Sequence, residues 1–294
     1  MKKTGNTKKS KRKIPDTTKV WYVTGASQGL GLTLVKKLLE AGYRVAATSR
    51  NTQALREAAG MIDTGHFLPL AVDLNNTDSI EESIRQTLAA FNRIDVVVNN
   101  AGYGMAATVE ETTNQDIRNI FDVNVLASIN VVKSVLPVMR QQRSGCIINI
   151  GSVAGLAGAP GWSVYSATKA AIAAFSEVLA LDVKEFGIKV IVVEPSGFRT
   201  GFLTKNSLAY TESKIKGYKA VKETQKRYLV GNGNQPGDPE RASSILIELA
   251  ESKQPPLHLY LGQDAYNRAS DKLAAMNEEL EDWKDTTISA DYEQ

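Results

Sequence analysis

From Val20 onward, the hydrophobic pattern switches repeatedly between the period of a strand and that of a helix. Val20–Thr24 is a short apolar run. Leu30–Ala41 then carries Leu30, Leu34, Val35, Leu38 and Leu39 at helical spacing and stops at Gly42. Arg44–Thr48 is strand-like, Thr52–Ala59 a short helix, Phe67–Val72 a strand and Ser79–Phe91 a helix. Ile94–Val98 is apolar at every position, as a strand covered on both faces must be. Asn114–Met139 is helical, Cys146–Ile150 a strand, Val164–Phe186 a helix and Lys189–Val193 a strand. Strands and helices that alternate with short connections bury their apolar faces as one parallel sheet with helices on both sides. The fold class predicted is therefore α/β, a doubly wound parallel sheet.

The rhythm breaks over residues 198–236, a polar, Lys-rich stretch that is helical in parts and ends in a Gly/Asn/Pro turn. A helix at Pro239–Ala250, a strand at Leu257–Leu261 and a helix at Ala265–Trp283 follow. No linker divides the chain. The expectation is a single domain over 20–294, with 198–236 as a helical insertion and 1–19 as a disordered basic tail. That tail holds eight of the 35 Lys and Arg residues and one acid, so it carries +7, while the remaining residues carry −4 and the whole chain +3. The body is mildly acidic, which argues against a nucleic-acid partner.

The single cysteine, Cys146, cannot form an internal disulfide and sits in an apolar strand run, so a buried thiol is expected. No apolar run reaches the ~18–20 residues that span a bilayer, and no apolar stretch follows the charged N-terminus as in a secretory signal. A cytoplasmic protein with no membrane partner is expected. Two histidines and no carboxylates in ligand spacing predict no metal site.

Between the first strand and the first helix lies Thr24-Gly25-Ala26-Ser27-Gln28-Gly29-Leu30-Gly31. Gly25 suits a tight turn off the strand, Gly29 a close backbone approach to a pyrophosphate, and Gly31 close packing of helix on sheet. The helix N-terminus would offer free N–H groups to phosphates. The spacing G-x-x-x-G-x-G resembles that of the short-chain dehydrogenase/reductase family. Further matches follow in order: Asn99-Asn100-Ala101-Gly102 after a strand, Asn124 inside the long helix, Ser152 after the next strand, Tyr165-x-x-x-Lys169, and Pro195-Ser-Gly197-Phe-Arg-Thr200. Ser196 stands where the family usually has glycine, so the loop there is expected to take a slightly different path.

The resemblance implies a Rossmann-like fold and hydride transfer between a nicotinamide cofactor and a carbonyl or secondary alcohol. It places Gly25, Ser27, Gln28, Gly29, Leu30 and Gly31 at the cofactor, with Asn100, Ala101, Gly102, Pro195, Gly197 and Thr200. An acid at the end of the second strand would favour NAD. Ser49-Arg50 stands there instead, and Arg50 can pair with a 2′-phosphate, so NADP(H) is expected over NAD(H). Asp73, followed by Leu74, resembles the residue that contacts adenine.

Tyr165 and Lys169, four apart on a helix, share a face. An ammonium beside a phenol would lower its pKa and make Tyr165 the acid/base. Ser152 would hydrogen-bond the substrate oxygen, and by resemblance Lys169 would also hold the ribose and Asn124 would extend a proton path. The substrate pocket is expected from Phe198, Phe202, Leu203, Leu208, Tyr210, Tyr218 and Tyr228, with Tyr103, Met105 and Gly155–Trp162 as walls; packing of the lid is the alternative use of these aromatics. A catalytically silent NADPH-binding sensor is the alternative function. The resemblance also implies a homodimer or homotetramer through the helices Asn114–Met139 and Val164–Phe186.

Overall fold

The protein is described here by a computed structural model covering residues 16–60 and 65–292. Most of the predicted basic tail, residues 1–15, lies outside the described residues. Its last residue, Lys19, is seated on the body and pairs with Glu251 at 2.7 Å.

The first half alternates as β1 (Val20–Val23), α1 (Gly29–Glu40), β2 (Arg44–Ser49), α2 (Thr52–Ala59), β3 (Phe67–Ala71), α3 (Thr77–Phe91) and β4 (Val96–Asn99). The second half adds β5 (Gly104–Ala106), α4 (Asn114–Phe121), α5 (Ala127–Gln142), β6 (Gly145–Ile150), α6 (Ser163–Asp182) and β7 (Ile188–Pro195). It continues with β8 (Leu208–Tyr210), α7 (Lys219–Val230), α8 (Pro239–Glu251), β9 (His258–Leu261), α9 (Gln263–Asp282) and α10 (Lys284–Ile288).

Seven strands form one sheet in the order β3-β2-β1-β4-β6-β7-β9, every pair parallel. This is the Rossmann-like doubly wound arrangement. Successive side chains of a strand point to opposite faces, and β1 shows the consequence. Trp21 and Val23 join the core under α1, α2 and α8, whereas Val20 and Tyr22 join the core under α3, α5 and α6. Helix ends follow local chemistry. The Asn51 side chain accepts from Ala54 N at the start of α2, Asn76 from Ser79 N at the start of α3, and Thr113 forms a reciprocal capping box with Asp116 at the start of α4.

The chain reverses its winding at β1 and β4, which are neighbours in the sheet. In such sheets a crevice opens at the carboxyl ends of these two strands. The glycine loop follows β1, and the Asn100-Ala101-Gly102 turn follows β4.

Three features differ from the sequence reading. The insertion contains a strand: β8 pairs in parallel with β5, giving a second, two-stranded sheet in the register Gly104↔Leu208 to Ala106↔Tyr210. These three-residue strands are too short for alternation to register. The long helix is continuous from Asn114 to Gln142 but contains a π turn at Asp122–Leu126. That helix and Ser163–Asp182 are each long and apolar enough to cross a membrane, against the expectation that no stretch would be. Both lay part of their surface on the sheet core. Cys146 is buried, and burial raises its thiol to about 12.

Candidate active site

The glycine loop is tied to the turn after β4. The Thr24 hydroxyl accepts from Asn100 N at 3.0 Å and Ala101 N at 3.1 Å, and Asn100 Nδ2 donates to the carbonyls of Thr24 and Gly25, each at 3.0 Å. Gly25 has φ +63°, and a Cβ there would lie 2.8 Å from Ala101 Cα. Two requirements, left-handed backbone and close approach, therefore fall on one residue. Gly31 has a more local task than packing helix on sheet. A Cβ there would strike the Asn100 amide and sit 2.7 Å from the Gly25 carbonyl.

Helix α1 starts without a side-chain cap and without an acid in its first turn. Its free N–H groups point their positive end into a cavity of about 1100 Å³. The cavity runs past Ser49, Arg50, Asp73 and Leu74 on one side and reaches Ser152, Tyr165 and Lys169 on the other. A dinucleotide fits this donor set, since an uncapped helix start and a left-handed glycine loop offer backbone N–H groups to an anion.

Every predicted site residue lines this cavity except Gly31 and Asn124. Gly31 acts from beneath the loop. Asn124 is buried in the π turn and holds the Tyr103 backbone with both ends of its amide: Oδ1 accepts from Tyr103 N and Nδ2 donates to Tyr103 O, each at 2.9 Å. Nδ2 also reaches Thr168 Oγ1 at 3.2 Å, on the helix that carries Tyr165 and Lys169. Gln28 lines the cavity, yet its amide donates to Ser207 Oγ at 2.7 Å and so ties the glycine loop to the insertion. Ser49 accepts from Asn51 N at 3.2 Å, and Asp73 accepts from Asn75 N at 3.0 Å. Arg50 is exposed at the cavity wall.

Ser152 leaves β6 with its hydroxyl accepting from Ala154 N at 3.1 Å. Tyr165 stands one turn into α6. Burial pushes its phenol up to about 12, against the pull of a hydrogen bond from Ser152. Lys169 is buried on the same face, its Nζ donating to Ile150 O at 2.8 Å and lying 5.8 Å from the Tyr165 ring centre. Burial pulls this amine down to about 8. The expectation that Lys169 lowers the Tyr165 pKa does not hold in this structure. Desolvation dominates both groups and drives them towards their neutral forms.

The aromatic wall is real in part. The Trp162 ring lies 5.4 Å from Tyr165 and 4.9 Å from Tyr228, and Phe202 lies 6.0 Å from Tyr165. Phe198 and Leu203 also line the cavity. Met105 and Leu208 pack behind it, in the cluster around Trp162 and Tyr165. Tyr210 is 40% exposed and does not reach it. Near Ser196, the backbone N–H donates to Leu261 O at 3.2 Å, which joins this departure from the family pattern to the end of β9.

Sequence reasoning missed Arg227, Gln235 and Arg268, all of which line the cavity. Arg268 comes from α9, beyond the last strand, and donates to Ala157 O while pairing with Asp264 at 3.5 Å. A chain of buried amides was also missed: Asn99 Nδ2 donates to Asn149 Oδ1 and Asn149 Nδ2 to Ser176 Oγ, both at 2.8 Å. The asparagines at the ends of two apolar strands are the signal that could have found it.

The model of the short chain dehydrogenase family matches residues 19–210. Over 274 residues the chain is 34% identical to the oxidoreductase BOA17 of Botryotinia fuckeliana, covering 93% of this chain and 99% of that one. It is 33% identical to the 3-ketodihydrosphingosine reductase of Bacteroides thetaiotaomicron, over 82% of this chain and 86% of that one. A short-chain dehydrogenase from Streptomyces avermitilis superposes with a TM-score of 0.85 at 34% identity, covering 93% of this chain and all of that one. The glycine loop, the asparagine turn and the Ser152, Tyr165 and Lys169 cluster all lie within the matched span. The chain is an oxidoreductase and belongs to the short-chain dehydrogenase family.

Proposed function

We propose that the protein interconverts a carbonyl and a secondary alcohol with NADP(H), using Tyr165 as the acid/base. The observation that carries this reading is the convergence of Ser152, Tyr165 and Lys169 at one end of a cavity whose other wall holds Arg50 and no acid at the end of β2. When bound, the nicotinamide supplies the hydride. The residues do the rest. The Tyr165 phenol, kept protonated near neutral pH by burial, donates its proton to the carbonyl oxygen in the reducing direction. The Ser152 hydroxyl donates to the same oxygen and positions it. The Asn124 amide ties the Tyr165 helix to the turn after β4, and Lys169 ties the same helix to the end of β6. Trp162, Phe202 and Tyr228 give the carbonyl compound an aromatic wall.

The test is a panel of aliphatic, aromatic and acyl carbonyls assayed by loss of NADPH absorbance, with NADH in parallel and with Arg50→Ala. Turnover with NADPH is expected. A phosphate hydrogen bond to a charged partner is worth about 1.5–3 kcal/mol, so Arg50→Ala should weaken NADPH binding roughly tenfold or more and leave NADH nearly unchanged. Equal losses for both cofactors would remove the NADP preference. Cofactor binding with no turnover across the panel would remove the enzymatic reading.

A further inference from the structure

Charge and apolar surface are distributed unevenly over the second half of the chain. The lid, residues 198–236, holds eight Lys and Arg and two Glu, a net +6. On α7, Lys222, Lys226 and Arg227 are exposed. Beside them Leu229 and Val230 are exposed at 46% and 72%. Arg227, Tyr228 and Gly231 line the cavity, and Leu229 and Val230 lie between them in sequence without lining it themselves.

The C-terminal arm has the opposite character. From Ser270 to Tyr292 every residue but Lys272 is exposed. This segment holds seven carboxylates and two lysines, a net −5. Leu273, Met276, Leu280 and Trp283 recur at helical spacing, with Ile288 beyond them on α10, and all five are exposed. Glu279 and Glu281 flank Leu280 on either side of this stripe. A helix with a continuous apolar stripe ordinarily buries it. Among the described residues nothing covers the stripe.

We propose that this arm docks on the lid of a second copy of the chain, laying its apolar stripe on Leu229 and Val230. Charge complementarity favours this surface over a second arm. A −5 arm is attracted to a +6 lid and repelled by another arm. The contact places Glu279 and Glu281 beside the lysines of α7 and brings the partner's arm to the mouth of the active site. Each copy then helps to cover the other's cavity. The inference does not depend on which cofactor or substrate the site takes.

Trp283 provides the test, because it is 65% exposed while Trp21 and Trp162, the other two tryptophans, are 0% and 5% exposed. Acrylamide quenching of the full-length protein therefore reports the arm. With rising protein concentration, quenching is expected to fall and the emission to shift to the blue, and added salt should reverse both. The double variant Lys222→Glu/Lys226→Glu should lose this protection, as should Glu279→Lys/Glu281→Lys. Combining the four substitutions should restore it. Lys222→Gln/Lys226→Gln, with circular dichroism to confirm folding, should give an intermediate loss. Quenching that is independent of concentration would overturn the proposal. Protection that survives reversal of the lid charges would also overturn it, since the arm would then be covered by another surface.

Discussion

The glycine loop and the 198–236 insertion both line one cavity and are held in place differently. The loop is bound to the adjacent turn by four hydrogen bonds through Thr24 and Asn100, each within 3.1 Å, and to β2 by the Ala26 N–H donating to Thr48 O. Both segments leave neighbouring central strands, so their separation is set by the sheet. The insertion departs from β7 and is secured at points spread along its length: the three-residue β5–β8 pairing, the Gln28–Ser207, Lys214–Glu111 and Gln225–Ala106 hydrogen bonds, and the packing of Phe202 on Tyr165 and of Tyr228 on Trp162. The contrast separates a segment fixed by hydrogen bonds between neighbouring strand ends from one held by contacts spread along the chain.

The largest expected effect lies at the joint between the two regions. Tyr165→Phe removes the transferable proton and leaves the ring that packs on Trp162 and Phe202. Turnover should fall by about two orders of magnitude or more, the scale of general acid–base catalysis. Cofactor binding, read by fluorescence titration, should be unchanged; an active Phe variant would move the acid/base role elsewhere.

Gly31→Ala tests the rigidity of the loop side. The added methyl would collide with the Asn100 amide and the Gly25 carbonyl. Overpacking typically costs about 1–3 kcal/mol, and here it should appear both as a lower Tm and as weaker cofactor binding. A variant with wild-type Tm and affinity would show that the loop yields as readily as the lid.

Lys169 gives a pH signature. Its folded pKa, about 8, lies below the ordinary value of 10.5. Between these values the unfolded chain binds more protons than the folded one, so this group's contribution raises stability as pH increases. Below about pH 8 its burial penalty is present in full. The Tm of wild type relative to Lys169→Met should therefore rise between pH 8 and 10. A difference flat across this window would mean that Lys169 is solvated or paired.

The smallest effect is expected from Gln28→Ala. It removes one hydrogen bond, worth about 0.5–1.5 kcal/mol, from the seam between loop and lid. Limited proteolysis within 198–236 should accelerate while the global Tm barely moves. Unchanged cleavage would show that the remaining contacts secure the insertion without Gln28.

Much of the fold was legible because its signals are local. Alternation of hydrophobic period marked each strand of the main sheet to within a few residues, and Gly25 with Asn100 marked the crevice. The pair β5 and β8 was not legible, because three residues cannot display a period. The direction of the Tyr165 pKa shift was not legible for a related reason. Tyr165 and Lys169 were correctly placed on one helical face, but spacing carries no information about desolvation. The Lys169 amine turns to the Ile150 carbonyl, and both groups are buried.

Sequence by itself determined the parallel sheet, the position of the crevice and the residue types that meet in it, because hydrophobic period, glycine placement and motif spacing act over a few residues. Tertiary structure alone decided that Gln28 is tied to Ser207, that Arg268 from α9 returns to the cavity wall, and that Asn124 holds Tyr103 through a π turn. Each of these joins residues separated by at least 21 positions along the chain. Such contacts exist only once the sheet has brought distant segments together, and the dielectric environment that sets the protonation of Tyr165 and Lys169 arises at the same moment.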